Sequence, residues 1–168
     1  LHVSLILYAE HEFNASTFAA RICASTLSDT YSTITTGISV LRGPLHGGAN
    51  EAAMKLIDSF ANEEEATKGV YEMLEKKQLL MGFGHRVYGL GGDPRSPIIK
   101  SWSKKLGGDT PTFRISETIE AIMKKEKPQL PTNADFFSAS AYRFLNIPTD
   151  YFTPVFIMSR TTGWAAHV

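Results

Sequence analysis

Chemistry-bearing side chains gather in three segments where glycine or proline interrupts helical sequence, and such breaks are where side chains and backbone can converge on a ligand. The first is Gly43-Pro44-Leu45-His46-Gly47-Gly48-Ala49-Asn50-Glu51. His46 stands just before a helix N-terminus, whose partial positive charge disfavours imidazolium. A neutral ring can donate a hydrogen bond to a developing oxyanion; the plainer alternative is a histidine in a glycine turn. The second segment is Gly82-Phe83-Gly84-His85-Arg86-Val87-Tyr88, with Asp93-Pro94-Arg95 close behind. Its glycines let backbone approach a ligand, while His85 and Arg95 suit a carbonyl and a carboxylate. The third is Pro131-Thr132-Asn133-Ala134-Asp135-Phe136-Phe137. Asp135 reads either as a helix N-cap or as a carboxylate base walled by two phenylalanines, where low polarity strengthens its basicity.

Other chemistries are excluded by spacing. Val87 stands where a Gly-x-Gly-x-x-Gly dinucleotide fingerprint needs its third glycine. His11-Glu12 begins like a zinc-protease helix, but Ala15 replaces the second histidine that the metal requires. Asn14-Ala15-Ser16 matches a glycosylation sequon inside an expected buried helix and is discarded. No serine or cysteine nucleophile motif and no phosphate-binding glycine loop is present.

The elements that must hold these segments are helical. Apolar residues recur at three- and four-residue steps at Ala15, Phe18, Ala19, Ile22 and Cys23, and again at Tyr31, Ile34, Ile38 and Leu41, predicting two buried helices joined near Ser28-Asp29. Further stripes are Ala53-Met54-Ile57-Phe60, Ala66-Val70-Met73-Leu74 after an Asn62 cap, Ile98-Trp102-Leu106 after Asp93-Pro94, Ile115-Ile119-Ile122 and Phe137-Ala141-Phe144. No stretch alternates with period two. The fold class is all-α, with about seven or eight helices. The Lys124-Lys125-Glu126-Lys127 cluster reads as a solvated helix end.

Lysine plus arginine and aspartate plus glutamate are balanced at 17 each over 168 residues, so nothing marks a nucleic-acid binder. One cysteine, Cys23, cannot form an internal disulfide or a cysteine-cluster metal site, which fits a reducing compartment. No apolar run approaches the roughly 20 residues of a membrane helix. The chain opens on Leu1 and reads as an internal piece of a longer subunit.

In order, spacing and wording these segments resemble the citrate synthase family. The resemblance rests on Tyr8-Ala9-Glu10-His11-Glu12-Phe13-Asn14-Ala15-Ser16-Thr17, the stretch around His46, Gly82 to Tyr88, Asp93-Pro94-Arg95, Asn133 to Ala139, and Ser159-Arg160 before Gly163-Trp164. It implies a two-domain helical subunit working as a homodimer. Residues 1–46 would be large-domain helices, 47–146 the small domain, and 147–168 a return to the large one. By the same resemblance His46, His85 and Asp135 are catalytic, and His11, Arg95 and Arg160 bind oxaloacetate. Leu80, Gly82, Phe83, Gly84, Arg86 and Asn133 fall in the region contacting coenzyme A. Asp135 would take the α-proton of an acyl-CoA, and His46 would hydrogen-bond the thioester oxygen as negative charge develops. His85 would polarise the ketone of oxaloacetate, and the arginine forks would grip its carboxylates. No metal or redox cofactor is implied, since the coenzyme A thioester is a substrate.

Within the family, Tyr8-Ala9-Glu10-His11-Glu12-Phe13-Asn14-Ala15-Ser16 and Gly163-Trp164-Ala165-Ala166-His167 look like the 2-methylcitrate synthases, which condense propionyl-CoA, rather than the acetyl-CoA-using citrate synthases. The expected compartment is bacterial cytoplasm or mitochondrial matrix. Gly89 to Gly92 is one residue longer than the usual connection, and the family's N-terminal helices and a later arginine are missing from this chain. The isolated 168 residues are therefore expected to be inactive and to expose the apolar faces carrying Phe18, Ile22, Ile34 and Ile38. A non-catalytic helical module is the alternative.

Overall fold

Side-chain caps start most of the helices. In the computed structural model, which describes residues 1–168, Asn14 accepts from Thr17 N to open α2 (Ala15–Ser25), and Asp29 accepts from Ser32 N to open α3 (Thr30–Leu41). Asn62 accepts from Glu65 N at the start of α5 (Glu63–Glu75), while the Glu65 carboxylate accepts from Ala61 N. Thr110 caps α7 (Pro111–Glu126), which carries proline in its first turn, and Asn133 caps α8 (Ala134–Phe144). The remaining helices are α1 (His2–Tyr8), α4 (Ala49–Asp58), α6 (Arg95–Gly107) and α9 (Phe152–His167). Short 3-10 turns occupy Gly89–Gly91 and Thr149–Tyr151. The chain is all-α without strands; one isolated antiparallel bridge joins Phe83 to Thr132.

The chain divides into two compact units, residues 1–48 with 150–168, and residues 49–149. The first packs α1, α2 and α3 around α9, burying Tyr8, Ala20, Leu41, Phe152, Phe156 and Trp164. Gly37 on α3 makes room for the Trp164 ring, since a Cβ there would lie 2.9 Å from the indole. The second unit packs α6 and α4 on α8, and α5 on α7, around Met54, Ile57, Phe113, Ile119, Phe136 and Phe137.

Nine α-helices replace the expected seven or eight, because α1 and α9 lie outside the stripes read from sequence. Two buried faces are not the apolar stripes of the sequence, although on α2 the exposure of Phe18 and Ile22 is the one expected of the isolated chain. On α2 the buried residues are Ser16, Thr17 and Ala20, while Phe18 and Ile22 are 56% and 52% exposed. On α6 the packed face is Ser96, Ile99, Ser103 and Gly107, and Ile98, Trp102 and Leu106 look outward. The reason is the same in both cases: small residues let helices approach closely. Ser103 and Ser140 hydroxyls meet at 2.7 Å in the α6–α8 contact, and Gly107 admits the Phe144 ring. Large apolar residues do not mark the buried side there. Asn14, expected within a buried helix, is a cap, and α6 begins one residue later than the Asp-Pro pattern suggests. No helix is long and apolar enough to cross a membrane.

Candidate active site

His46 sits three residues before α4 in the first unit and is held from one side by α2. Its Nε2 lies 2.9 Å from Ser16 Oγ and 3.4 Å from the Ser16 backbone N–H. A backbone amide can only donate, so this contact favours a bare Nε2 with the ring proton on Nδ1. The ring meets Phe156 edge-on at 6.2 Å. Burial, reinforced by the positive charge of Arg160 and by His11, lowers the His46 pKa to about 4, so the imidazole is neutral at pH 7. Sequence logic had assigned this neutrality to the α4 dipole; desolvation is the larger cause.

Arg160, on α9, is fully buried. Its Nε donates to the Tyr8 carbonyl at 2.7 Å, and the guanidinium lies 4.8 Å over the Phe156 ring. Ser159 alongside donates to the Leu5 carbonyl, so α9 grips the end of α1 at consecutive residues. His11 follows in the loop between α1 and α2, where Asn14 Nδ2 donates to its carbonyl. The first unit thus brings His46, Arg160 and His11 within electrostatic reach of one another.

In the second unit the other motifs converge on the start of α8. Gly84 N donates to the Pro131 carbonyl, Asn133 N to the Gly82 carbonyl, and Asn133 Nδ2 to the Gly84 carbonyl, at 2.7, 3.0 and 2.9 Å. Gly82, at φ 91°, approaches Phe136 so closely that a Cβ would sit 2.8 Å from its side chain. The 82–86 loop is thereby stitched to the segment bearing Asp135. His85 accepts from Val87 N through Nδ1 at 3.1 Å, and its ring packs against Tyr88 in a tilted pair with centroids 4.5 Å apart. Phe83 packs on Phe136 at 4.6 Å, Leu80 is buried, and Arg86 is exposed.

The N-cap reading of Asp135 is overturned. Asn133 Oδ1 accepts from Asp135 N at 3.0 Å and performs the cap, leaving the half-buried Asp135 carboxylate in the first helical turn without that task. Asp93 was not among the candidate site residues. It is buried, takes Arg95 Nε and Nη2 at 2.9 and 2.8 Å, and accepts from Ala134 N at 3.0 Å. It therefore fixes Arg95 and the start of α8 together; the Asp-x-Arg spacing at a helix start was its only sequence signal. Ser16, within the Tyr8 to Thr17 motif, was not foreseen as the partner of His46. No group of three or more His, Cys, Asp or Glu side chains is arranged to hold a metal ion.

The chain matches the family described as citrate synthase, C-terminal domain, over residues 1–168. It is 58% identical to a 2-methylcitrate synthase of Shewanella oneidensis and 51% identical to citrate synthase 2 of Bacillus subtilis. Those alignments cover 100% and 98% of this chain but 45% of each relative. The citrate synthase of Thermoplasma acidophilum, solved as a ternary complex with carboxymethyl coenzyme A and oxaloacetate, superposes with a TM-score of 0.92 at 39% identity. That superposition covers 98% of this chain and 45% of that one. A citryl-CoA lyase of Hydrogenobacter thermophilus aligns at 26% identity with a TM-score of 0.82. The chain spans under half the length of these curated relatives, and it belongs to the citrate synthase family, matching that family's C-terminal domain.

Proposed function

We propose that the full-length protein condenses propionyl-CoA with oxaloacetate and water to give 2-methylcitrate and coenzyme A, and retains activity on acetyl-CoA. His46 carries the reading: a neutral ring with Nε2 occupied by Ser16 offers its Nδ1–H as a donor, suited to a thioester oxygen whose charge grows in the transition state. In this scheme Asp135 removes the α-proton, and the carbon nucleophile adds to the ketone of oxaloacetate. His85 protonates the new alkoxide, and water cleaves the acyl-CoA product. His11, Arg95 and Arg160 bind the oxaloacetate. The backbone from Leu80 to Arg86, with Gly82, Phe83 and Gly84, and Asn133 contact the coenzyme A thioester, which is a substrate. No metal or redox group takes part. The working unit is a homodimer in the bacterial cytoplasm or the mitochondrial matrix, with residues 1–46 and 147–168 in its large domain and 47–146 in its small one. The isolated 168 residues are inactive.

Identity to the Shewanella enzyme supports the propionyl preference. The 51% identity to Bacillus subtilis citrate synthase 2 favours a second reading, ordinary citrate formation from acetyl-CoA. Thiol release by the full-length enzyme with each acyl-CoA at fixed oxaloacetate separates them. One methyl group is worth about 10–200-fold in a hydrophobic pocket. We expect the higher kcat/KM with propionyl-CoA and measurable turnover of acetyl-CoA. A tenfold or greater preference for acetyl-CoA would move the assignment to citrate synthase.

A further inference from the structure

Ser16 Oγ has three polar neighbours: Trp164 Nε1 at 3.1 Å, His46 Nε2 at 2.9 Å and Asn14 Oδ1 at 2.8 Å. The indole N–H can only donate and the amide oxygen can only accept, so the one hydroxyl proton must choose between His46 and Asn14. If it goes to Asn14, His46 must carry its proton on Nε2. If it goes to His46, the ring proton is on Nδ1, the arrangement that the Ser16 backbone N–H also favours. Asn14 Oδ1 is then still satisfied by Thr17 N.

We infer that Trp164 is a positioning residue that acts through Ser16 to keep the His46 proton on Nδ1. Ser16 is completely buried, and a buried oxygen that accepts nothing is costly. With the indole N–H present, Ser16 can give its proton to His46 and still accept one hydrogen bond. Without it, the oxygen accepts nothing unless His46 moves its proton to Nε2 and donates back. The first accepted bond matters more than the second, so the indole shifts the balance toward Nδ1–H. The buried ring is fixed in register by Gly37, whose missing Cβ leaves the space it fills.

The consequence for turnover rests on His46 being the donor of the proposed reaction, whereas the proton position can be measured without it. In the full-length enzyme Trp164 is replaced by benzothienylalanine, which keeps the bicyclic outline and puts a sulfur, which cannot donate, in place of the N–H, and in parallel by Trp164→Phe. Nitrogen-15 spectra of labelled histidine, with His46 assigned by its loss in His46→Gln, report which ring nitrogen is protonated. We expect Nδ1–H in the native enzyme and a substantial Nε2–H population in the benzothienyl variant. For that variant kcat should fall about tenfold, the worth of one buried hydrogen bond, while KM for oxaloacetate stays within twofold. In a Ser16→Ala background the same replacement should cost less than twofold more, because the effects run through one oxygen. An unchanged His46 proton position in the benzothienyl variant, or losses that multiply with Ser16→Ala, would overturn the inference. Absence of synthase turnover with either acyl-CoA would instead remove the functional reading and leave the nitrogen spectra to decide.

Discussion

Asp93 and Arg95, two residues apart, form a two-point ion pair in which the same carboxylate also accepts the backbone N–H of Ala134. One buried group therefore ties the start of α6 to the start of α8. Burial alone would raise the Asp93 pKa, but the hydrogen bonds and charge of Arg95, with the Ala134 amide, hold it below the usual 3.8. A depressed carboxylate stabilises the fold above its unfolded pKa and ceases to do so as pH falls through the folded one. Asp93→Asn keeps the shape and removes the charge, leaving a largely buried guanidinium. We expect unfolding of the second unit to be easier by about 3 kcal/mol. Urea denaturation at pH 7 measures it, and a change below about 0.5 kcal/mol would show that Arg95 has found equal compensation.

His46 predicts a second pH dependence. Its pKa is about 4 in the fold against 6.5 unfolded. Between those values the unfolded chain takes up a proton that the folded chain refuses, so acidification from pH 6.5 to 4 costs up to about 3 kcal/mol of stability. His46→Gln should flatten this stretch of the stability curve. Denaturation midpoints of the two proteins at pH 7.5, 6, 5 and 4.5 give the comparison; parallel curves would place the titration elsewhere.

Asp135 and Asn133 should separate chemistry from folding. Because Asn133 performs the cap, Asp135→Asn in the full-length enzyme should lower turnover by a factor on the order of 10² to 10⁴, with stability changed by less than about 1 kcal/mol. Asn133→Ala removes the cap and the tie to Gly84, and should cost about 1–2 kcal/mol. Turnover near the native value in Asp135→Asn would defeat its assignment as base.

The two exposed faces of the first unit make a fourth test. Phe18 and Ile22 on α2 and Tyr31 on α3 are 56%, 52% and 87% exposed. The 168-residue chain expressed alone should bind a hydrophobic dye and self-associate. Phe18→Ser with Ile22→Ser should reduce both, and a monodisperse, dye-silent native chain would contradict the expectation.

The helical class and the local caps were legible because they are short-range: Asn62 with Glu65 needs four residues of context. The motif residues were legible through resemblance. Faces chosen by close approach were not, since Ser103 against Ser140 and Gly37 against Trp164 depend on partners far along the chain. The cause of His46 neutrality was misread for the same reason. A helix end is visible in a window of a few residues, whereas burial beside Arg160 is assembled from segments over a hundred residues apart.

The first unit is built from both ends of this chain, and that interleaving has a bearing on synthesis. On a ribosome, residues 49–149 can emerge and collapse while α1 to α3 still wait for α9. The hydrogen bonds from Trp164 to Ser16 and from Arg160 to Tyr8 span 148 and 152 residues. The nascent polypeptide thus carries His46 without its finished cradle until α9 clears the exit tunnel, and a stall before that point would leave the Tyr8 carbonyl and Ser16 without their α9 partners.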